Sequence, residues 1–115
     1  MENFLDKLFL ILQNRKHSDP KSSYVSSLYK KGIKNILNKI NEETNELIMA
    51  IKNFNDNKYN DNFLRYEIIK ETADLWFHTL ICISFLDILH TEIVEELYKR
   101  LNISGLEEKT NRLNN

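Results

Sequence analysis

Carboxylates occur in two tight groups in this chain, Glu42-Glu43-x-x-Glu46 and, about a helix length later, Glu71-x-x-Asp74. Each residue of an α-helix advances by about 100°, so the first three acids fall within an arc about 100° wide and the second pair lies about 60° apart. Two helices that each present such a face can combine into one oxygen-rich pocket. Carboxylate and water oxygens suit a hard divalent cation. A carboxylate-held Mg²⁺ is in turn a standard device for cutting phosphoanhydrides.

The neighbours of these acids bear on that reading. Lys39 shares the sector of Glu42, Glu43 and Glu46, while Glu67, Glu71, Asp74 and His78 follow at i, i+4, i+7 and i+11 as one stripe. An acidic stripe by itself is more often a solvated face. Here Ile68, Leu75, Trp76, Phe77, Leu80 and Ile81 make the same segment apolar over most of its circumference, which places the strip at the border of a core. The acids are not expected to be interleaved with lysines at i, i+4 as on a salt-bridged surface, and a bound cation is the simplest way to stabilise them against their repulsion. His78 could be a ligand, a proton donor or a partner behind Asp74; its place on the stripe favours the last. A di-iron site would need Glu-x-x-His on two helices, and neither Glu67 nor Glu71 has a histidine three residues later. His17 and His90 read as loop residues with no constellation, and Cys82 as an inert core thiol.

Arg15, Lys16, Lys21, Lys30, Lys31 and Lys34 gather around the first loop and short helix. They make either a solvated basic surface or an anion site for substrate phosphates, and their spacing leaves both open. No Walker-type glycine loop is present.

Helices must position these groups. The chain has two glycines and one proline in 115 residues, and no useful β-alternation or internal repeat. Apolar spacing predicts a helix over about 2–14, a polar loop over 15–23, and a short helix capped by Ser22 or Ser23 that ends near Gly32. A long helix is expected over 33–52, an asparagine-rich loop over 53–62, and a second long helix over 63–86. After a break at 87–90, Thr91 is the expected N-cap of a last helix carrying Ile93, Val94, Leu97, Tyr98 and Leu101, and 104–112 forms a further turn or a tail. The class is all-α, a bundle of about five helices.

Composition narrows the setting. The hydrophobic share of 42% and charged share of 29% fit a single globular domain over 1–115. A net charge of −1 gives no basic field for nucleic acid. One cysteine forms no internal disulfide and no cysteine-rich zinc site. The N-terminus carries Glu2 and Asp6 and lacks a small-residue cleavage site. The apolar run from Leu75 to Leu89 is interrupted by polar residues and falls short of the roughly 20 residues of a membrane span. The expectation is a cytoplasmic protein with no membrane partner.

The two acidic motifs together resemble the signature of the all-α NTP pyrophosphatases, the MazG-like superfamily. Within it the chain is most similar to the phosphoribosyl-ATP pyrophosphatase family. Arg15-Lys16 and Ser23-Tyr24, with Leu28 and Gly32 beyond, resemble that family's first loop. The segment from Lys39 to Glu46 resembles its Lys-Val-Gly-Glu-Glu-x-x-Glu helix, and that from Glu71 to His78 its Glu-x-Ala-Asp-Leu-x-Tyr-His helix. Glu108-Lys109 with Arg112 resembles its Glu-Lys-x-x-Arg tail. The likeness spans nearly the whole chain apart from the asparagine-rich segment. Asn41 stands where a glycine is usual and Val25 where a threonine is usual. With one cysteine, the chain corresponds to the form without a fused cyclohydrolase domain.

The resemblance implies hydrolysis of phosphoribosyl-ATP to phosphoribosyl-AMP and pyrophosphate, the second step of histidine biosynthesis, by an intertwined homodimer. Glu43, Glu46, Glu71 and Asp74 are then expected to hold Mg²⁺, with Glu42 a further ligand or the base that orients water. Arg15, Lys16, Ser23, Tyr24, Lys39, Lys109 and Arg112 would contact the substrate. The other readings are a house-cleaning pyrophosphatase of dUTP or noncanonical NTPs in the same superfamily, and a non-catalytic helical interaction module.

Overall fold

The computed structural model describes residues 3–57 and 61–101. Among them are five α-helices and no strand: α1 Phe4–Asn14, α2 Tyr24–Lys31, α3 Ile33–Asp56, α4 Asn62–Phe85 and α5 His90–Leu101, with a 3₁₀ turn, Arg15–His17, after α1. No single helix among the described residues is long and apolar enough to cross a membrane. The expected tail segment, with Lys109 and Arg112, lies outside the described residues.

Helix ends follow local chemistry. Asn3 caps α1 by accepting from Leu5 N, and Ser23 caps α2 by accepting from Ser26 N. Asp61 caps α4 through Phe63 N and Leu64 N. Each side-chain oxygen satisfies amides that have no partner inside the first turn. Gly32 ends α2 and starts α3 at once, with φ 95°. A Cβ there would meet nothing within 4 Å, so the glycine answers a backbone need and not a steric one.

Two helix boundaries differ from expectation. α3 does not stop at Lys52 but continues through Asp56, so the 53–62 segment is helical at both its ends. Asparagine costs well under about 1 kcal/mol per helical residue, whereas extending a formed helix adds one hydrogen bond per residue fixed. Asn57 closes the end, its backbone and side-chain nitrogens both donating to the Asn53 carbonyl. α5 begins at His90, one residue before the cap expected at Thr91. Its capping group is the Glu92 carboxylate, which accepts from Leu89 N at 2.9 Å.

The α4 terminus is a Schellman arrangement, with Ile88 N donating to Ile83 O and Asp87 N to Ser84 O. Asp87 takes the left-handed position, φ 59°, where a side chain costs roughly 1 kcal/mol. Lys16 offsets that cost: its Nζ donates to the Ser84 carbonyl at 2.6 Å and sits 3.2 Å from Asp87 Oδ1. A cation at a helix C-terminus is favourable in any case.

The core is Leu12 from α1, Val25 and Leu28 from α2, Ile36 from α3, and Ile81 and Cys82 from α4. Phe9 is buried as well. Full burial of such side chains contributes about 1.5–3 kcal/mol each. Burial pushes the Cys82 thiol up from its ordinary value, in keeping with an inert core sulfur. Ser84 is fully buried in this apolar setting, and Tyr29 Oη lies 2.9 Å from its Oγ and 2.8 Å from the Leu12 carbonyl. The carbonyl can only accept, so the phenol proton goes there and Ser84 donates to the phenol oxygen. His90, expected in a loop with no constellation, packs its ring at a tilt against Phe9 and meets Asp6 Oδ1 at 2.5 Å, fastening α5 to α1.

Helices α3 and α4 make the most extensive packing in the chain. Even so, Ile48, Met49, Phe63, Tyr66, Ile69 and Trp76 on this hairpin are exposed, Trp76 by 63%. α5 has no buried residue, and Ile93, Val94, Leu97, Tyr98 and Leu101 all face outward.

Candidate active site

The α3–α4 hairpin carries both acidic motifs. On it, Glu43 and Glu46 from α3 meet Glu71 from α4, with one carboxylate oxygen of each within 4.8 Å of the others. Glu43 and Glu71 are buried and Glu46 is exposed. Glu43 Oε2 and Glu71 Oε2 have no hydrogen-bond partner. A buried unpartnered carboxylate oxygen is costly, and two side by side require a positive charge or shared protons.

The electrostatics have the same origin. Burial raises the Glu43 carboxyl above its ordinary 4.5; Asp74 and Glu71 add to the rise, and His78 and a hydrogen bond to Glu46 oppose it. Burial likewise raises Glu71, with Glu46 and Asp74 pushing further and Lys70 pulling back. Glu46 brings a third carboxylate within 4.8 Å of both buried acids. The donor set is all carboxylate oxygen with two oxygens unsatisfied, which fits a hard divalent cation.

Asp74 stands beside this trio without belonging to it, half-buried and close enough to raise Glu43. Glu42 is not part of the trio and pairs with Lys39 at 3.3 Å. The expectation that no lysine interleaves with the acids needs correction. Lys70 lies 3.6 Å from both Glu67 and Glu71, and Lys39 neutralises Glu42. The correction strengthens the contrast within the site, because Glu43 has no salt bridge among the described residues.

His78 is buried behind Asp74, its Nδ1 2.8 Å from the Asp74 carbonyl and its Nε2 2.8 Å from Tyr24 Oη. Tyr24 is the first residue of α2, so this bond ties the short helix to α4. Ser23 is occupied as the α2 cap. Arg15 is exposed at the start of the 3₁₀ turn, and its carbonyl accepts from Ser26 Oγ. Lys16 is engaged at the α4 C-terminus, away from the acids of the trio.

Beyond the trio a groove of about 380 Å³ continues between α3 and α4, from Glu46, Glu67 and Glu71 to Met49, Ala50, Asn53, Phe63 and Leu64. Sequence reasoning missed Lys70 as a partner of the acids. It also missed the direct bond between Tyr24 and His78, although both residues were singled out. The Glu67–Lys70 pair was legible, since i, i+3 positions are helix neighbours, whereas the adjacent Glu71 was not. The Tyr24–His78 bond joins positions 54 apart and has no local signal.

Comparison with known proteins gives the family of the chain. The family model for phosphoribosyl-ATP pyrophosphohydrolase matches residues 5–101. A phosphoribosyl-ATP pyrophosphatase of Hydrogenovibrio crunogenus is 48% identical over 96% of this chain and 91% of its own length. Those of Vesicomyosocius okutanii and Ruthia magnifica are 47% and 45% identical, each over 99% of this chain and 100% of the relative. With the match spanning the cap of α2, both acidic helices and α5, the chain belongs to the phosphoribosyl-ATP pyrophosphohydrolase family.

Proposed function

We propose that this protein hydrolyses phosphoribosyl-ATP to phosphoribosyl-AMP and pyrophosphate, the second step of histidine biosynthesis, with Mg²⁺ as cofactor. The observation that carries the reading is the convergence of Glu43, Glu46 and Glu71 with two buried, unpartnered carboxylate oxygens. These three, with Asp74 beside them, would hold the ion. When bound, it would polarise the anhydride and neutralise charge on the pyrophosphate leaving group.

The chain's own residues supply the rest. Glu42 lies outside the trio and is the carboxylate left to take the proton of the attacking water. As the water oxygen bonds to phosphorus, the bridging bond of the α–β anhydride breaks and pyrophosphate leaves. Lys39 stands one turn from the acids and binds a substrate phosphate as a point charge. Arg15, exposed near the start of α2, reaches a second phosphate by its bidentate fork. Lys109 and Arg112 complete the anion site in this reading. Lys16 would have to leave Ser84 and Asp87 to join them, so its main part is holding the end of α4.

A pyrophosphate-release assay tests the function. Phosphoribosyl-ATP should turn over with Mg²⁺ and not in excess chelator, and well above dUTP or ATP. Preferred turnover of dUTP would move the chain to the house-cleaning enzymes, and no turnover or cation binding would leave an interaction module.

We infer also that the protein works as a homodimer in the cytoplasm, where a lone buried thiol stays reduced. The outward apolar side chains of α5 and of the α3–α4 hairpin support the pairing. Sedimentation equilibrium at micromolar concentration should give the mass of two chains, and monomer mass would refute it.

A further inference from the structure

The groove that opens on the acidic trio has two ends of different character. Along α3 its wall is Glu46, Met49, Ala50 and Asn53, and along α4 it is Glu71, Glu67, Leu64 and Phe63. Asn53 stands seven residues after Glu46, about 10 Å along the helix axis. That length matches the reach of a nucleotide from its α-phosphate to its base. Lys39 precedes the acids on α3, so the phosphates it binds lie on one side of the trio. The nucleoside is left the other side, where the groove of about 380 Å³ has room for it.

The far end of the groove suits a flat ring. Met49 and Phe63 flank it and are 64% and 66% exposed, apolar surface with no cover among the described residues. Glu67 is the one acid of the wall outside the trio, and its side chain is 28% exposed. Lys70 lies 3.6 Å from Glu67 Oε2, too long for a hydrogen bond, and is not part of the wall. The Glu67 carboxylate therefore keeps acceptor capacity on the groove side. The base of phosphoribosyl-ATP differs from that of ATP in the property an acid reads. Its N1 carries the second ribose, which turns the N1–C6–N6 edge into a cationic amidine, whereas the adenine of ATP is neutral.

We propose that this groove seats the N1-substituted adenosine of the substrate, and that Glu67 is the residue that tells phosphoribosyl-ATP from ATP. The exocyclic nitrogen of the cationic base donates to the Glu67 carboxylate, a hydrogen bond with charge on both sides. The neutral amino group of ATP makes only the weaker form of it. Phe63 offers its ring face to the base, and that contact also gains from a cation. A second copy of the chain need not cover this end. Ile69 and Trp76 line a separate apolar hollow with Ile68, Thr72 and Ala73, so pairing there leaves the groove open.

The proposal takes its substrate from the phosphoribosyl-ATP reading, but its test needs no turnover. The probes are AMP and 1-methyl-AMP, whose methyl group at N1 gives the cationic ring without a second ribose or phosphate. Calorimetric titration of the wild-type protein at pH 7 with saturating Mg²⁺ should give 1-methyl-AMP a Kd about tenfold below that of AMP, the margin between a charged and a neutral hydrogen bond. E67Q should remove most of that preference. The ratio is the readout, because a change in Mg²⁺ affinity or in folding moves both Kd values together. F63A, at an exposed position, should weaken both probes by about tenfold and keep their ratio. In steady-state assays E67Q should lower kcat/KM for phosphoribosyl-ATP by about tenfold and leave inhibition by ATP unchanged. Equal Kd values in the wild type, a preference that survives in E67Q, or no binding of either probe overturns the proposal. A wild-type protein that prefers 1-methyl-AMP but does not turn over phosphoribosyl-ATP sinks the functional reading and leaves the groove assignment standing. Turnover of phosphoribosyl-ATP without that preference does the reverse.

Discussion

E43Q is expected to lower turnover of phosphoribosyl-ATP by more than about 100-fold while raising the melting temperature of the metal-free protein. Groups that merely orient a metal ligand already cost about 10–100-fold when replaced, so losing the most central ligand should cost more. Glu43 is central because it is buried, lacks a salt bridge among the described residues, and faces Glu46, Glu71 and Asp74 together. The opposite sign for stability has the same cause. Without a cation the folded chain must hold this carboxyl among other acids, with Oε2 unpartnered. A glutamine amide is neutral and can donate to the neighbouring carboxylates. Relief of one buried unsatisfied group is worth about 1 kcal/mol, or about 4 °C for a chain of this size. Calorimetry in chelator together with the pyrophosphate assay checks both halves. An E43Q protein with near wild-type turnover at saturating Mg²⁺ would show that the trio is not the metal site.

Added divalent cation should stabilise the wild-type protein more at pH 8 than near pH 5. Glu43 and Glu71 have carboxyls raised in the fold above the ordinary 4.5. Over the window above 4.5 the folded state therefore binds more protons than the unfolded state, and stability from these groups falls as pH rises. It is fully present below 4.5 and lost as pH climbs through the folded values, the reverse of an acid held in a salt bridge. A cation must displace those protons, and fewer remain to be displaced at the higher pH. At a hundredfold excess over Kd the gain at high pH is about 2.7 kcal/mol. Melting curves at the two pH values, with Mg²⁺ and with chelator, measure it. Other acids titrate too, so E43Q is the control, and the difference between the two pH values should shrink in it. A gain that is equal at both pH values, or larger near pH 5, would refute the linkage.

The parts of the site that were readable in the sequence are those set by one helix at a time. Helical spacing put Glu43 and Glu46 on one face, and a second acid-bearing helix with an apolar remainder brought Glu71 against them. The same logic failed where composition replaced periodicity. Asparagine at 53, 55 and 57 reads as loop, yet α3 runs through Asp56 because a helix already twenty residues long extends cheaply. Contacts fixed by packing angles left no trace. Lys16 on the end of α4, Tyr24 on His78 and Asp6 on His90 join positions 54 to 84 apart. Ser84 reads as a polar interruption of an apolar run, although it is fully buried and bonded to Tyr29.

Gly32 takes on a larger meaning once those long-range bonds are considered. It joins α2 directly to α3, with no linker between them. At its other end α2 is bonded through Tyr24 to α4, and α4 is packed along α3. Three members joined at three corners form a truss, the one planar frame that cannot shear without a member changing length. A single residue at its tightest corner thus makes α2 a brace for the acidic hairpin and leaves no free arm to swing over it.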